Sequence, residues 1–237
     1  VEILKKGGNA VDAAIATQLA LAVTYPNAGN IGGGGFFVGR LSNGELITID
    51  YREMAPGNAH RDMYVDADGT PRTDKSQNGH LAGGVPGTVA GLFASHKYGK
   101  LSFSTLIQPA IDLAEKGFVI TQREANSFNG LQDELKKYNT QATVFVKETG
   151  WKGGDTLIQT DLANTLKRIR DKGAAGFYEG ETAKLIVDEM KRGNGIISYD
   201  DLKNYKAKFR EPHVFDYKGY KILGMGMPSS GGLLMHQ

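Results

Sequence analysis

Arg52 is the side chain whose type and position best suit binding chemistry. It ends an alternating run, Glu45 to Arg52, on the same side as Thr48 and Asp50, just before an irregular segment. A guanidinium fixed there can grip a carboxylate through two parallel N–H···O bonds. From pattern alone, a structural ion pair with Asp50 or Glu53 is the better account of it. The second signal is Asn30-Ile31-Gly32-Gly33-Gly34-Gly35, which runs straight into Phe36-Phe37-Val38. Phosphate-cradling glycine turns lie between a strand and a helix, whereas this one follows a helix and enters a strand, with no Gly-Lys-Ser/Thr after it. Its glycines are better explained by another backbone crossing at short distance, or by a small ligand meeting bare amides. The third is Pro228-Ser229-Ser230-Gly231-Gly232, ahead of a short helical segment. Two hydroxyls and free amides at a helix N-terminus suit an anion or an oxyanion, although a plain helix cap is the commoner use. A serine nucleophile needs a base within reach, and the sequence assigns none.

Other chemistry is poorly supported. The five histidines, His60, His80, His96, His213 and His236, are scattered and show no metal-ligand spacing. Asp66-Ala67-Asp68-Gly69 lacks the later ligands of a calcium loop and reads as a turn. Asp112, Glu115, Asp188 and Glu189 fall on amphipathic helices and read as solvated faces. With no cysteine there is neither a thiolate site nor a disulfide framework. The 28 basic and 26 acidic residues nearly balance, and the densest basic run is only Lys167, Arg168 and Arg170, so a nucleic-acid partner is not expected.

The elements that must position these residues follow from periodicity and punctuation. Val1 to Lys6 reads as the end of a helix closed by Gly7 and Gly8. Asn9 then caps a second helix with Val11, Ala14, Ile15, Leu19 and Ala22 at helical spacing, ended by Pro26. Asn43-Gly44 is a hairpin turn. In the strand that follows, Ile47, Ile49 and Tyr51 share one face, while Leu46, Thr48, Asp50 and Arg52 share the other. Glu53 to His80 is a long polar connection, which such a length makes either functional or held against a neighbour. Helices are expected near residues 87–98, 104–116, 121–138, 161–172 and 181–192, with a capping box at Ser198–Asp201 opening a short one. From Phe209 to Met225 the pattern returns to strand, turning near Lys218-Gly219. Strict strand–helix alternation is missing, which argues for an α+β fold over a doubly wound sheet. The 13-residue apolar stretch from Val11 to Val23 is broken by Asp12, Thr17 and Gln18 and is too short to span a bilayer. Val1 opens inside an element without an initiator methionine, and Gln237 ends abruptly, so the chain is expected to be a piece of a longer one.

Assembled in order, these segments resemble one family. Gly7-Gly8-Asn9-Ala10-Val11-Asp12-Ala13-Ala14, Ala28 to Phe36, Asp50-Tyr51-Arg52-Glu53-Met54-Ala55-Pro56, Gly84 to Gly91, Gly176-Phe177-Tyr178 and Pro228 to Gly232 are similar, end to end, to the γ-glutamyltranspeptidases. The resemblance implies an N-terminal-nucleophile hydrolase with a four-layer αββα sandwich, made from a precursor that cleaves itself into a large and a small subunit. Residues 1–237 would be a single partial domain, a segment of the large subunit, incomplete without the small one. It further implies that the nucleophile, the N-terminal threonine of the small subunit, lies outside this chain. That threonine opens γ-glutamyl amides such as glutathione and passes the acyl group to water or to amino-acid or peptide acceptors, its own α-amine serving as base. No catalytic residue is therefore expected here, the chain alone is expected to be inactive, and no cofactor or metal is implied. Arg52 matches the family arginine that holds the substrate α-carboxylate, which reverses the preference for an ion pair. A periplasmic or secreted location is implied as well. Two alternatives stand beside this reading. One is a relative of the same fold acting on cephalosporin side chains or poly-γ-glutamate. The other is a noncatalytic ligand-binding domain using the Gly32–Gly35 turn.

Overall fold

The computed structural model describes residues 1–237. A one-turn helix, α1 (Glu2–Lys5), ends at Gly7 in the left-handed region, and α2 (Ala10–Thr24) follows. The Asn9 cap is reciprocal: its Oδ1 accepts the Asp12 N–H at 3.0 Å, and Asp12 Oδ2 accepts the Asn9 N–H at 2.8 Å. Asp12 is fully buried and also accepts the Lys100 and Leu101 N–H groups at 2.9 and 3.3 Å. Asn9 Nδ2 donates to the Tyr98 carbonyl at 2.6 Å. One cap thus starts a helix and clasps a turn some ninety residues further on.

The glycine run leads into β1 (Phe36–Arg40), paired antiparallel with β2 (Leu46–Asp50), Phe36 opposite Asp50 and Arg40 opposite Leu46. The strand stops two residues short of the expected Arg52, although Tyr51 and Gly35 still exchange main-chain hydrogen bonds at 3.0 and 3.3 Å. Ile47, Ile49 and Tyr51 form a buried cluster, as their alternation implies. Thr48 and Asp50 on the opposite face are buried too, because a later strip of chain lies over them.

The long polar connection contains α3 (Thr73–Gln77) and is pinned at Gly57, whose N–H donates to Asp201 Oδ1 at 2.7 Å. Next come α4 (Thr88–His96), α5 (Phe103–Lys116) and β3 (Phe118–Val119). The helix expected over 121–138 is two, α6 (Gln122–Gly130) and α7 (Gln132–Tyr138), broken at Leu131 just after the poor helix former Gly130. Strand β4 (Thr156–Leu157) pairs with β3, and α8 (Thr160–Lys172), α9 (Ala175–Tyr178), α10 (Gly180–Arg192) and α11 (Tyr199–Asn204) follow. Ser198 and Asp201 form the expected capping box at the start of α11. Strand β5 (Lys208–Phe209) then joins β2, giving the sheet order β1-β2-β5. A hairpin of β6 (His213–Tyr217) and β7 (Tyr220–Gly224) turns at Lys218 and Gly219, both in the left-handed region, and α12 (Gly231–His236) closes the chain.

The core is helical. Leu19 of α2, Leu106, Ile107 and Ile111 of α5, and Leu166 and Ile169 of α8 have almost no exposed surface. Burying each such side chain contributes about 1.5–3 kcal/mol. Helix α4 lies against the β1–β2 hairpin, so the chain is α+β, with a helical layer backing a small antiparallel sheet.

Where core and sheet meet, three stretches of backbone cross. The Gly33 carbonyl accepts the N–H groups of Gly87 and Thr88 at 2.7 and 3.0 Å. A Cβ on Gly34 would lie 2.5 Å from the Tyr51 carbonyl oxygen and 2.7 Å from the Glu53 nitrogen. One on Gly87 would lie 2.0 Å from that same oxygen, and one on Gly91 2.1 Å from the Tyr51 ring. The crossing-backbone reading of the glycine run is the one the fold realises. Over it, the rings of Tyr178 and Tyr205 stack with centroids 5.8 Å apart. Tyr178 Oη donates to the Pro86 carbonyl at 2.9 Å and accepts the Ala90 N–H at 3.2 Å.

Two outcomes are expected. Asp12→Ala removes the acceptor of the Asn9, Lys100 and Leu101 amides, each of which costs on the order of 1–3 kcal/mol when left unpaired in the interior. Denaturant unfolding of the intact protein should show a loss of roughly 3 kcal/mol or more, with Asp12→Asn milder because it keeps one acceptor oxygen. A loss under about 1 kcal/mol would remove the clasp from this account. Second, burial pushes the phenols of Tyr51, Tyr178 and Tyr205 above their ordinary value. Their contribution to stability is complete below the unfolded value of about 10 and is lost as pH rises from there through the folded values. In a phenolate absorbance titration, part of the signal should appear only together with unfolding. Titration of all 10 tyrosines near pH 10 with ellipticity intact would contradict this.

Candidate functional site

The crossing fixes the main chain at Arg52, and side chains finish the task. The Arg52 N–H donates to Asp50 Oδ1 at 3.0 Å, and its carbonyl accepts the Tyr205 hydroxyl at 2.7 Å. Both polar groups of one residue's backbone are thus held by side chains from outside it. Asp50 Oδ2 meanwhile accepts Arg210 Nε and Nη2 at 3.1 and 2.8 Å, and this carboxylate is buried. Arg210 is itself seated by Thr48, whose carbonyl accepts its N–H at 3.1 Å and whose hydroxyl donates to its carbonyl.

This arrangement leaves no ion pair between Arg52 and either Asp50 or Glu53. The Asp50 carboxylate is committed to Arg210 and to the Arg52 amide. The Arg52 guanidinium pairs with neither Asp50 nor Glu53, and it is exposed. It lines a cleft of about 390 Å³ together with Glu53, Lys206, Lys208, Arg210 and Pro228. On its other side lies a hollow of about 340 Å³ backed by Met54, Pro56 and Met63. An apolar groove of about 570 Å³ starts beyond Gly32 and Gly84 and is floored by Phe177 and Ile186. The cleft can hold and orient an anion. Its one hydroxyl, on Tyr205, is spent on the Arg52 carbonyl, and burial together with the nearby Asp50 and Glu53 charges pushes its pKa up, so the lining offers no nucleophile with a base.

The remaining candidates fall elsewhere. Pro228 borders the Arg52 cleft, and the serines after it point to local structure. Ser229 Oγ accepts the Gly231 N–H at 3.3 Å, and the Ser230 side chain makes no cap bond to α12. Asp66 to Gly69 is a turn, with Gly69 in the left-handed region. No cluster of three potential metal ligands forms. His96 Nε2 lies 2.7 Å from the Leu101 carbonyl oxygen.

Two placements differ from the sequence reading. Glu189 is no solvated-face residue: it meets His80 Nε2 at 2.7 Å, the Thr140 hydroxyl at 2.7 Å and Arg192 Nε at 2.9 Å. Burial opposes its charge, but the bonds from Thr140, His80 and Arg192 outweigh that and hold the carboxyl at about 2. His213 and His236 come together, with Nε2 and Nδ1 3.1 Å apart beside Phe215. The functional neighbours that sequence reasoning missed are Tyr205 and Arg210. Their signal was faint: an aromatic just after a capped helix, and a basic residue in a returning strand.

With the geometry in place, comparison with known proteins is specific. A family model described as gamma-glutamyltranspeptidase matches residues 1–237. The glutathione hydrolase proenzyme of Escherichia coli is 46% identical over 98% of this chain, which covers 41% of that protein. An acylase ACY 1 proenzyme from a Pseudomonas species is 36% identical over the whole chain, covering 44% of its own length. The crystal structure of Helicobacter pylori gamma-glutamyltranspeptidase superposes with a TM-score of 0.96 at 47% identity, over 99% of this chain and 68% of that one. The chain therefore spans less than half the length of these curated relatives, whose names mark them as proenzymes. Matched along its whole length by the family model and by relatives well above 30% identity, the chain belongs to the γ-glutamyltranspeptidase family.

Proposed function

We propose that this chain is a large-subunit segment of a γ-glutamyltransferase/glutathione hydrolase and carries its substrate-carboxylate clamp. The observation behind this reading is the Arg52 guanidinium, unpaired with Asp50 or Glu53, on a backbone fixed at both its N–H and its C=O. In this reading Arg52 takes the α-carboxylate of a γ-glutamyl compound such as glutathione through a two-pronged contact. That sets the distance from the α-carbon to the scissile γ-carbonyl, so the clamp acts by positioning.

The remaining parts come from outside the segment. A small subunit of the same precursor completes the four-layer αββα sandwich and brings the N-terminal threonine, freed by self-cleavage. The threonine hydroxyl attacks the γ-carbonyl, its α-amine takes the proton, and the amine of the leaving part departs. Water or an amino acid or peptide then opens the acyl-enzyme. The reaction needs no metal or organic cofactor. Residues 1–237 are one partial domain in this scheme, inactive alone. No helix here is long and apolar enough to cross a membrane; a periplasmic or secreted location is part of the proposal.

The acylase relative favours a second reading, the same fold acting on other acyl groups. A carboxylate-binding arginine suits γ-glutamyl and glutaryl donors alike. Release from γ-glutamyl-p-nitroanilide against glutaryl-p-nitroanilide separates the two, because only the first carries an α-amino group.

The test is Arg52 in the complete enzyme. Arg52→Ala should lower kcat/KM on γ-glutamyl-p-nitroanilide by roughly a hundredfold, mostly through KM if ground and transition states share the contact. Arg52→Lys should recover only part, since an ammonium is a point charge without the fork. Self-cleavage should survive both changes. Near-wild-type kcat/KM in Arg52→Ala would end the clamp assignment.

A further inference from the structure

We infer that the cleft beside Arg52 binds two carboxylates, one on Arg52 and a second on Lys206 and Lys208, and so selects γ-glutamyl compounds whose leaving part or acceptor bears a further anionic group. This rests on the γ-glutamyl reading of Arg52 but does not follow from it. One arginine accounts for one carboxylate, and the cleft holds more positive charge than that.

The charge count is direct. Arg52, Lys206, Lys208 and Arg210 line the cleft against Asp50 and Glu53, so four cations face two carboxylates. Asp50 and Arg210 neutralise each other in a buried contact. Lys206 and Lys208 are exposed, and neither has Asp50 as a partner, since that carboxylate is already taken by Arg210 and the Arg52 amide. Even with Glu53 set against one of the cations, an α-carboxylate on Arg52 leaves a positive charge unanswered. A volume of about 390 Å³ lies within the usual range of small-molecule sites, about 300–1,000 Å³, and exceeds what one carboxylate fills.

The lysines are also well placed on the backbone. Lys208 lies opposite Asp50 in the β2–β5 register, and Lys206 follows the Tyr205 that bonds the Arg52 carbonyl. The strip that fixes the Arg52 carbonyl therefore carries both further cations, Lys208 within the β2–β5 pairing itself. Like charges gathered at one cleft repel each other, and a dianionic ligand relieves that repulsion.

The experiment uses matched pairs with the complete enzyme. Hydrolysis of γ-glutamyl-alanine against γ-glutamyl-alaninamide tests the leaving part. Transfer from γ-glutamyl-p-nitroanilide to alanine against alaninamide tests the acceptor. Each pair differs by one charge at nearly constant shape. In at least one arm the wild type should favour the charged member in kcat/KM. Exposed charge pairs being modest, that preference should fall roughly threefold in Lys206→Ala or Lys208→Ala and about tenfold in the double variant. The Lys206→Glu/Lys208→Glu variant should invert it, the Arg variants should keep it, and salt near 0.5 M should compress it. A change confined to one arm assigns the second carboxylate to leaving part or acceptor. A preference identical in wild type, double Ala and double Glu variants, with γ-glutamyl-p-nitroanilide still turned over, overturns the second site alone. Absence of any γ-glutamyl turnover in the wild type overturns the functional reading, and this inference with it.

Discussion

Around Tyr51 the main chain from three distant stretches meets at distances that exclude a side chain. Gly33 and Gly34 lie on one side, Gly87 on another, and the carbonyl of Tyr51 and the amide of Glu53 fill the space between. A Cβ at Gly34 or Gly87 would have to displace backbone, which a packed interior does not allow cheaply. The glycines give up side-chain packing and carry the entropy cost of ordering a flexible residue. In return the segment leading out of β2 is held in place, and Arg52 sits between this crossing and the Met54–Val85 bridge. The placement of the tyrosine stack, the docking of β5 and the shape of both hollows beside Arg52 all follow from that crossing.

Asp50 decides how charge is distributed over this frame. Two arginines lie within reach of one carboxylate, and the backbone settles which of them keeps it. Arg210 is seated by two bonds to Thr48 and takes Asp50 Oδ2 with two nitrogens, while Arg52 offers Oδ1 only its amide. A buried carboxylate requires a partner, and supplying it from the returning strip frees the Arg52 guanidinium from that duty. Sequence neighbours would have given the opposite arrangement, Asp50 paired with Arg52 two residues on and its guanidinium quenched. Leaving like charges in one cleft works against stability, the kind of local conflict that folds tolerate where a ligand resolves it.

Features set by local chemistry could be read in advance. The Asn9–Asp12 and Ser198–Asp201 boxes, the turns at Gly44 and Lys218-Gly219, the Ile47–Ile49–Tyr51 face and the crossing role of the glycine run depend on neighbours or on the glycines themselves. The break between α6 and α7 was missed, because a lone glycine is tolerated inside a helix and the amphipathic pattern on both sides reads as one. Features made by closure of long loops were not legible. Nothing near Asp50 specifies Arg210, which lies 160 residues away, and nothing near Glu189 specifies His80 or Thr140. A carboxylate on an amphipathic helix reads as solvated until the chain that covers it is known. Arg52 itself was visible as a candidate, while its freedom from Asp50 was decided by a residue that no pattern connects to it.

The strip from Tyr205 to Arg210 performs several tasks within a few residues. Tyr205 holds the Arg52 carbonyl, Lys208 lies opposite Asp50 in the β ladder, and Arg210 takes the Asp50 carboxylate. These contacts span about 150–160 residues of sequence, so they carry a large loop-closure cost and cannot form early on local grounds. Without the strip, the cation nearest to Asp50 in sequence is Arg52, two residues on. With the strip in place, Tyr205 holds the Arg52 carbonyl and Arg210 takes the Asp50 carboxylate. The same strip thus both fixes the Arg52 main chain and frees its guanidinium from Asp50, and any ligand that bridges Arg52 to the strip stabilises this arrangement by mass action.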